Sequence, residues 1–160
     1  MWLCNSSIGR KVVMSVTGVA LILFLTFHMS MNIAALFSGD AYNMICEFLG
    51  ANWYALVATL GLAALAVIHI LYAFWLTMQN RKARGTERYA VTTRPAGVEW
   101  SSQNMLVLGI IIILGLLLHL FNFWYNMMFA ELTGIAVAHD PADGYAYIVD
   151  TFSCPVYVVV

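Results

Sequence analysis

Three long apolar segments, at residues 12–37, 53–78 and 105–130, dominate this chain of 160 residues. A helix that crosses a bilayer needs about 20 consecutive, mostly apolar residues, and each segment meets that length. Hydrophobic residues make up 62% of the chain and charged residues only 9%. Three such helices in so short a soluble protein would leave almost no polar surface. The pattern predicts an all-helical integral membrane protein, a single domain with three complete spans in the lipid bilayer. The first segment does not read as a secretory signal. It is too long, it lacks a clean small-residue cleavage site, and two further spans follow it.

Charge placement sets the expected orientation. The seven basic residues fall in two places: Arg10 and Lys11 before the first span, and Arg81, Lys82, Arg84, Arg88 and Arg94 after the second. Lys and Arg mark the cytoplasmic side, so the N-terminus and the 79–104 stretch are expected inside. Asp40, Glu47, Glu131, Asp140, Asp143 and Asp150 then fall outside. Trp53 and Tyr54 fit an interfacial aromatic belt at the outer end of the second span. Residues 38–52 and 131–154 read as outer loops. Asn5, Ser6 or Ser7 is expected to cap the first helix.

Each span carries one histidine: His28, His69 and His119. An ionisable residue inside the membrane is costly and reads as functional by default. One His per span, with no Asp, Glu, Lys or Arg beside it, suggests a ligand that takes neutral imidazole, and haem iron is the leading candidate. At ~1.5 Å per residue, His28 lies about 15 Å before Ser38 and His119 about 18 Å before Glu131, while His69 lies about 24 Å below Trp53. That spacing pairs His28 with His119 on one iron, nearer the outside, and leaves His69 deeper. Gly115, one turn before His119, and Gly18, Gly61 and Gly109 suit a macrocycle between helices, although small residues also serve ordinary helix packing. Met29 and Met31 are read as apolar filling, and His139, beside Asp140, as a solvated loop residue.

Cys4 is expected inside, and Cys46 and Cys154 outside, either paired in an oxidising compartment or left unpaired. Their spacing makes no metal motif. At 155–160 a proline followed by apolar residues looks like the start of a fourth helix. Six residues cannot cross a bilayer, so the chain reads as part of a longer protein, whose fourth span would supply a partner for His69.

Several segments together resemble a known family. They are Ser7-Ile8-Gly9-Arg10-Lys11, Met14-Ser15-Val16-Thr17-Gly18, His28-Met29-Ser30-Met31-Asn32, the run from Cys46 through Glu47 and Asn52 to Tyr54, and Gln79-Asn80-Arg81-Lys82-Ala83-Arg84-Gly85. They are similar to the cytochrome b membrane anchor of succinate:quinone oxidoreductase, the subtype with one five-helix anchor and two b haems, typically menaquinone-linked. The resemblance implies that His28 and His119 bind the distal haem and that His69 shares the proximal haem with a His on the fourth helix. It implies that Ser15 and, more loosely, Trp100 hold the proximal haem's propionates. Glu47 resembles the acidic residue that takes protons at the menaquinol site, with Asn52 and Trp53 weaker candidates for lining that site.

It further implies a bacterial inner membrane, with the flavoprotein and iron–sulfur subunits of a succinate dehydrogenase or fumarate reductase docked on the cytoplasmic side against the basic 79–104 loop. The anchor itself would not touch the dicarboxylate. No motif for flavin, iron–sulfur or nucleotide binding is present, and no nucleic-acid partner is expected. Two other classes share the pattern: the b subunit of a formate dehydrogenase or hydrogenase, and a haem-free transporter that relays protons through histidines.

Overall fold

The structure, a computed structural model, describes residues 6–85 and 97–159. Cys4, Asn5, Arg88, Arg94, Pro95 and Val160 lie outside the described residues. Among those described, all regular structure is helical. Three helical stretches are long and apolar enough to cross a membrane: Ser7–Leu36, Trp53–Ala83 and Met105–Thr133. Hardly any side chain in them is buried inside the protein. Such surfaces are stable only where lipid is the solvent, since helices satisfy their own backbone groups there.

The first span is α1 (Ser7–Asn32), ending in a short 3-10 turn, Ile33–Leu36. It starts ahead of the apolar run because Ser6 caps it, its Oγ accepting from the Gly9 amide at 2.9 Å and satisfying one of the orphan donors of the first turn. The second span, α3 (Trp53–Arg84), runs past the apolar segment through its basic residues. It stops at Gly85, where φ is 70°, a backbone conformation open to glycine. After the short α4 (Trp100–Gln103), the third span begins as α5 (Met105–His119). It continues as a π-helix over Leu120–Phe129 and ends in α6 (Ala130–Thr133). α1 and α3 pack along one another, whereas little close backbone packing joins α5 to either.

Both stretches expected as outer loops contain a helix. α2 (Gly39–Phe48) is capped by Ser38, whose Oγ accepts from the Ala41 amide, and α7 (Gly144–Ser153) by Asp143, which accepts from the Ala146 amide. A short helix, α8 (Pro155–Val159), follows, with proline in its first turn as expected. α2 and α7 are amphipathic and pack together as a cap over the acidic end of the bundle. Asn43 clamps them: its Nδ2 donates to Asp143 Oδ1 at 2.7 Å, and its Oδ1 accepts from the Tyr145 amide at 2.9 Å. The Ala146 amide and the Asn43 amide group, both donating to the Asp143 carboxylate, hold its pKa below the usual carboxylate value. Tyr42 and Tyr147, two of the four buried hydrophobic residues among those described, lie in this cap.

Gly144 makes this packing close. A Cβ at that position would stand 2.5 Å from Cys46 Sγ, 3.0 Å from Met127 Cε and 3.1 Å from Tyr42 Cε1. Gly144→Ala is expected to loosen the cap by about 1–3 kcal/mol, the usual cost of overpacking. Faster labelling of Cys46 by a water-soluble maleimide would report it. Labelling at the unmodified rate would mean that the neighbours absorb the methyl group without strain.

Candidate functional site

The His28 and His119 rings meet across α1 and α5, with centroids 5.5 Å apart and planes at 85°. Each is braced by an aromatic ring one turn away on its own helix. Phe24 stacks on His28 at 5.5 Å, and Phe123 leans on His119 at 5.3 Å. Metal–imidazole bonds of about 2 Å to one ion would need ring centroids about 6 Å apart, and the observed pair stands closer than that, edge to face. Among the described residues no group of three or more His, Cys, Asp or Glu gathers around a metal position. Two imidazoles from different spans would leave most of a metal's ligand positions to other donors, a set that suits a metal already held in a macrocycle. By donor chemistry, these two imidazoles are residues that would hold a b-type haem.

His69 lies elsewhere. Its Nδ1 is 2.9 Å from the hydroxyl of Thr17 on α1, and its ring edge faces Gly18, where a Cβ would sit 3.4 Å from Cε1. Thr17, 4% exposed, is the buried polar residue of the described spans. Along α1, Thr17 and His28 are about 16 Å apart at 1.5 Å per residue. The histidines thus occupy two levels, a pair near the acidic end and His69 toward the basic end. No side chain would be obstructed at Gly61, Gly109 or Gly115, each of which faces open space.

The remaining expected site residues are not gathered around the histidines. Ser15 is exposed, about 200° around α1 from Thr17 at 100° per residue. Trp100 is 62% exposed at the start of α4. Glu47 is exposed on the polar face of α2, with Asp40 and Asn43. Its carbonyl, with that of Phe48, accepts from the Asn52 amide group, so Asn52 closes the C-terminus of α2. Trp53 is exposed and stacks edge-on against Tyr54, whose hydroxyl donates to the Phe48 carbonyl. Cys46 and Cys154 are both free thiols. His139 is not simply solvated. It is half-buried, with Nε2 2.5 Å from Asp150 Oδ2 and its ring edge-on to Tyr147, because α7 brings Asp150 back beside it.

A polar chain absent from the sequence reading joins the cap to the histidine pair. Asn32 Nδ2 donates to the His28 carbonyl at 2.8 Å, and Asn32 Oδ1 accepts from the buried Tyr42 hydroxyl at 2.9 Å. Burial pushes the Tyr42 phenol and the adjoining Cys46 thiol above their ordinary pKa values. At the other end of the pair, the π-helix starts directly after His119. Such wide turns often mark functional positions. Asn126 Nδ2 donates within it to the carbonyls of Phe121 and Asn122, each at 3.0 Å.

An apolar groove of about 440 Å³ lies between α1 and α2, lined by Phe27, Met31, Ala41, Met44, Ile45 and Leu49 among others. Glu47 is not among its lining residues. Arg10, near the basic end of α1, lies over the Trp75 ring at 5.3 Å and donates to Gln79, tying α1 to α3. The chain matches no protein-family model, no curated protein and no solved structure.

Proposed function

We propose that this chain is the haem-carrying membrane anchor of a succinate dehydrogenase or fumarate reductase, passing electrons between an iron–sulfur subunit and menaquinone. The observation that carries the proposal is the facing His28–His119 pair, set about 16 Å along α1 from the level of His69. Two levels of imidazole across a membrane suit two b haems. The segment resemblance supplies the choice of succinate and menaquinone. Bound at each level, a haem would accept and return one electron.

The chain's own residues have simpler tasks. His28 and His119 would hold the iron of one haem, and His69 would contribute a ligand to the other. Phe24 and Phe123 fix the orientation of the first pair and keep water from it. Quinol oxidation releases two protons with its two electrons. Glu47, exposed at the acidic end, takes one of these at its carboxylate and passes it to the outer water. The basic end, with Arg81 and Lys82 exposed, faces the cytoplasm and meets the iron–sulfur subunit, itself bound to the flavoprotein.

Purification of the tagged protein from its own membranes in mild detergent tests this assignment. A flavoprotein and an iron–sulfur subunit that oxidise succinate are expected to accompany it. Co-purification instead with a formate dehydrogenase or a hydrogenase would move the chain to that enzyme, and purification alone and without haem would favour a transporter.

A further inference from the structure

Three atoms around the Thr17 hydroxyl decide more than a helix contact. Its Oγ1 lies 2.8 Å from the Val13 carbonyl, 3.3 Å from the Met14 carbonyl and 2.9 Å from His69 Nδ1. A hydroxyl has one hydrogen to give, and both carbonyl oxygens can only accept. Were that hydrogen turned to the imidazole, two carbonyls would face bare oxygen lone pairs in a nearly dry setting. With the hydrogen on the nearer Val13 carbonyl, the Thr17 oxygen is left to accept, and the ring nitrogen would do the donating. Thr26, Thr77 and Ser30 also bond their own preceding turns, so a hydroxyl in a span is ordinary. Thr17 alone of these combines burial with a ring on the facing helix, and Gly18 beside it lets that ring approach.

We infer that Thr17 is a positioning residue for His69: it accepts the Nδ1 hydrogen and leaves Nε2 unprotonated as the iron-binding atom. The inference rests on the haem-anchor reading above and extends it to a group that never touches the iron. A ligating imidazole whose second nitrogen is hydrogen-bonded is held in one tautomer and one orientation, and it is the more basic ligand for it. Such partners are worth about 10–100-fold in metal affinity.

Two measurements test it. Nitrogen-15 NMR of the histidine-labelled protein before haem is added is expected to show His69 with hydrogen on Nδ1 and none on Nε2. In the haem-loaded protein, Thr17→Val is expected to weaken the His69-dependent haem about tenfold or more and raise its midpoint potential, with the His28/His119 haem unchanged. Thr17→Ser, which keeps the hydroxyl, is expected to behave like the natural protein. Hydrogen on Nε2 of His69, or a Thr17→Val protein with unaltered inner haem, would overturn the inference. So would a Thr17→Ser protein as defective as Thr17→Val, because the role would then be packing. Failure of the natural protein to take up any haem would sink the anchor reading alone, and the NMR result would still decide the tautomer.

Discussion

Replacing His28 by alanine is expected to remove the same haem that replacing His119 removes, with the His69 haem left in place. The two rings share one level, 5.5 Å apart, and each approaches from a different span. One remaining imidazole would leave the haem iron without one of its two protein ligands. On the two-haem proposal, each single variant should lose roughly half the b-haem absorbance. The double variant should lose no more than either single one, because both act on one iron. His69 lies about 16 Å away along α1, so its haem should keep its spectrum and potential. Equal loss of both haems from a correctly inserted His28→Ala protein would dissolve the pairing, as would losses that add in the double variant.

Glu47→Gln is expected to separate proton handling from electron handling. The change removes one charge and keeps the shape. Only the backbone carbonyl of Glu47 takes part in the described hydrogen bonds of α2, so the cap should stay folded. A positioned proton acceptor contributes typically 10²–10⁴-fold. Menaquinol-linked turnover should therefore fall by about 10²-fold or more, while the haem spectrum and succinate oxidation by an artificial dye are retained. Because the carboxylate lies on the end opposite the basic residues, the released protons should appear outside. Unchanged quinone turnover would make Glu47 a plain surface acid on α2 and move the proton-accepting role elsewhere.

The spans were legible because lipid imposes a coarse rule: enough consecutive apolar residues, one pattern per crossing. That the His28 and His119 rings meet was legible for a related reason, since depth along a helix follows from counting residues. What counting could not supply was the separation of the two levels, which was comparable with the uncertainty in helix ends. The contact between Thr17 and His69 supplies it. The two cap helices were hidden by the glycines and prolines around them. Their start signals, Ser38 and Asp143 as N-caps, stand in the sequence, but the apolar faces of α2 and α7 make sense only against one another. His139 was misread for the same reason, since Asp150 reaches it only once α7 has formed. The π-helix after His119 has no sequence signal that periodicity would reveal. Ser15 and Trp100 rest on the resemblance alone, as neither is brought to His69 among the described residues.

The optical spectrum of the purified complex, recorded before and after addition of succinate, tests the central claim most directly. The account predicts sharp reduced b-type bands that succinate itself raises, half of them missing when His28 or His119 is replaced. A protein produced with ample haem that shows no such bands, or whose bands persist undiminished without His28 and His119, would contradict it.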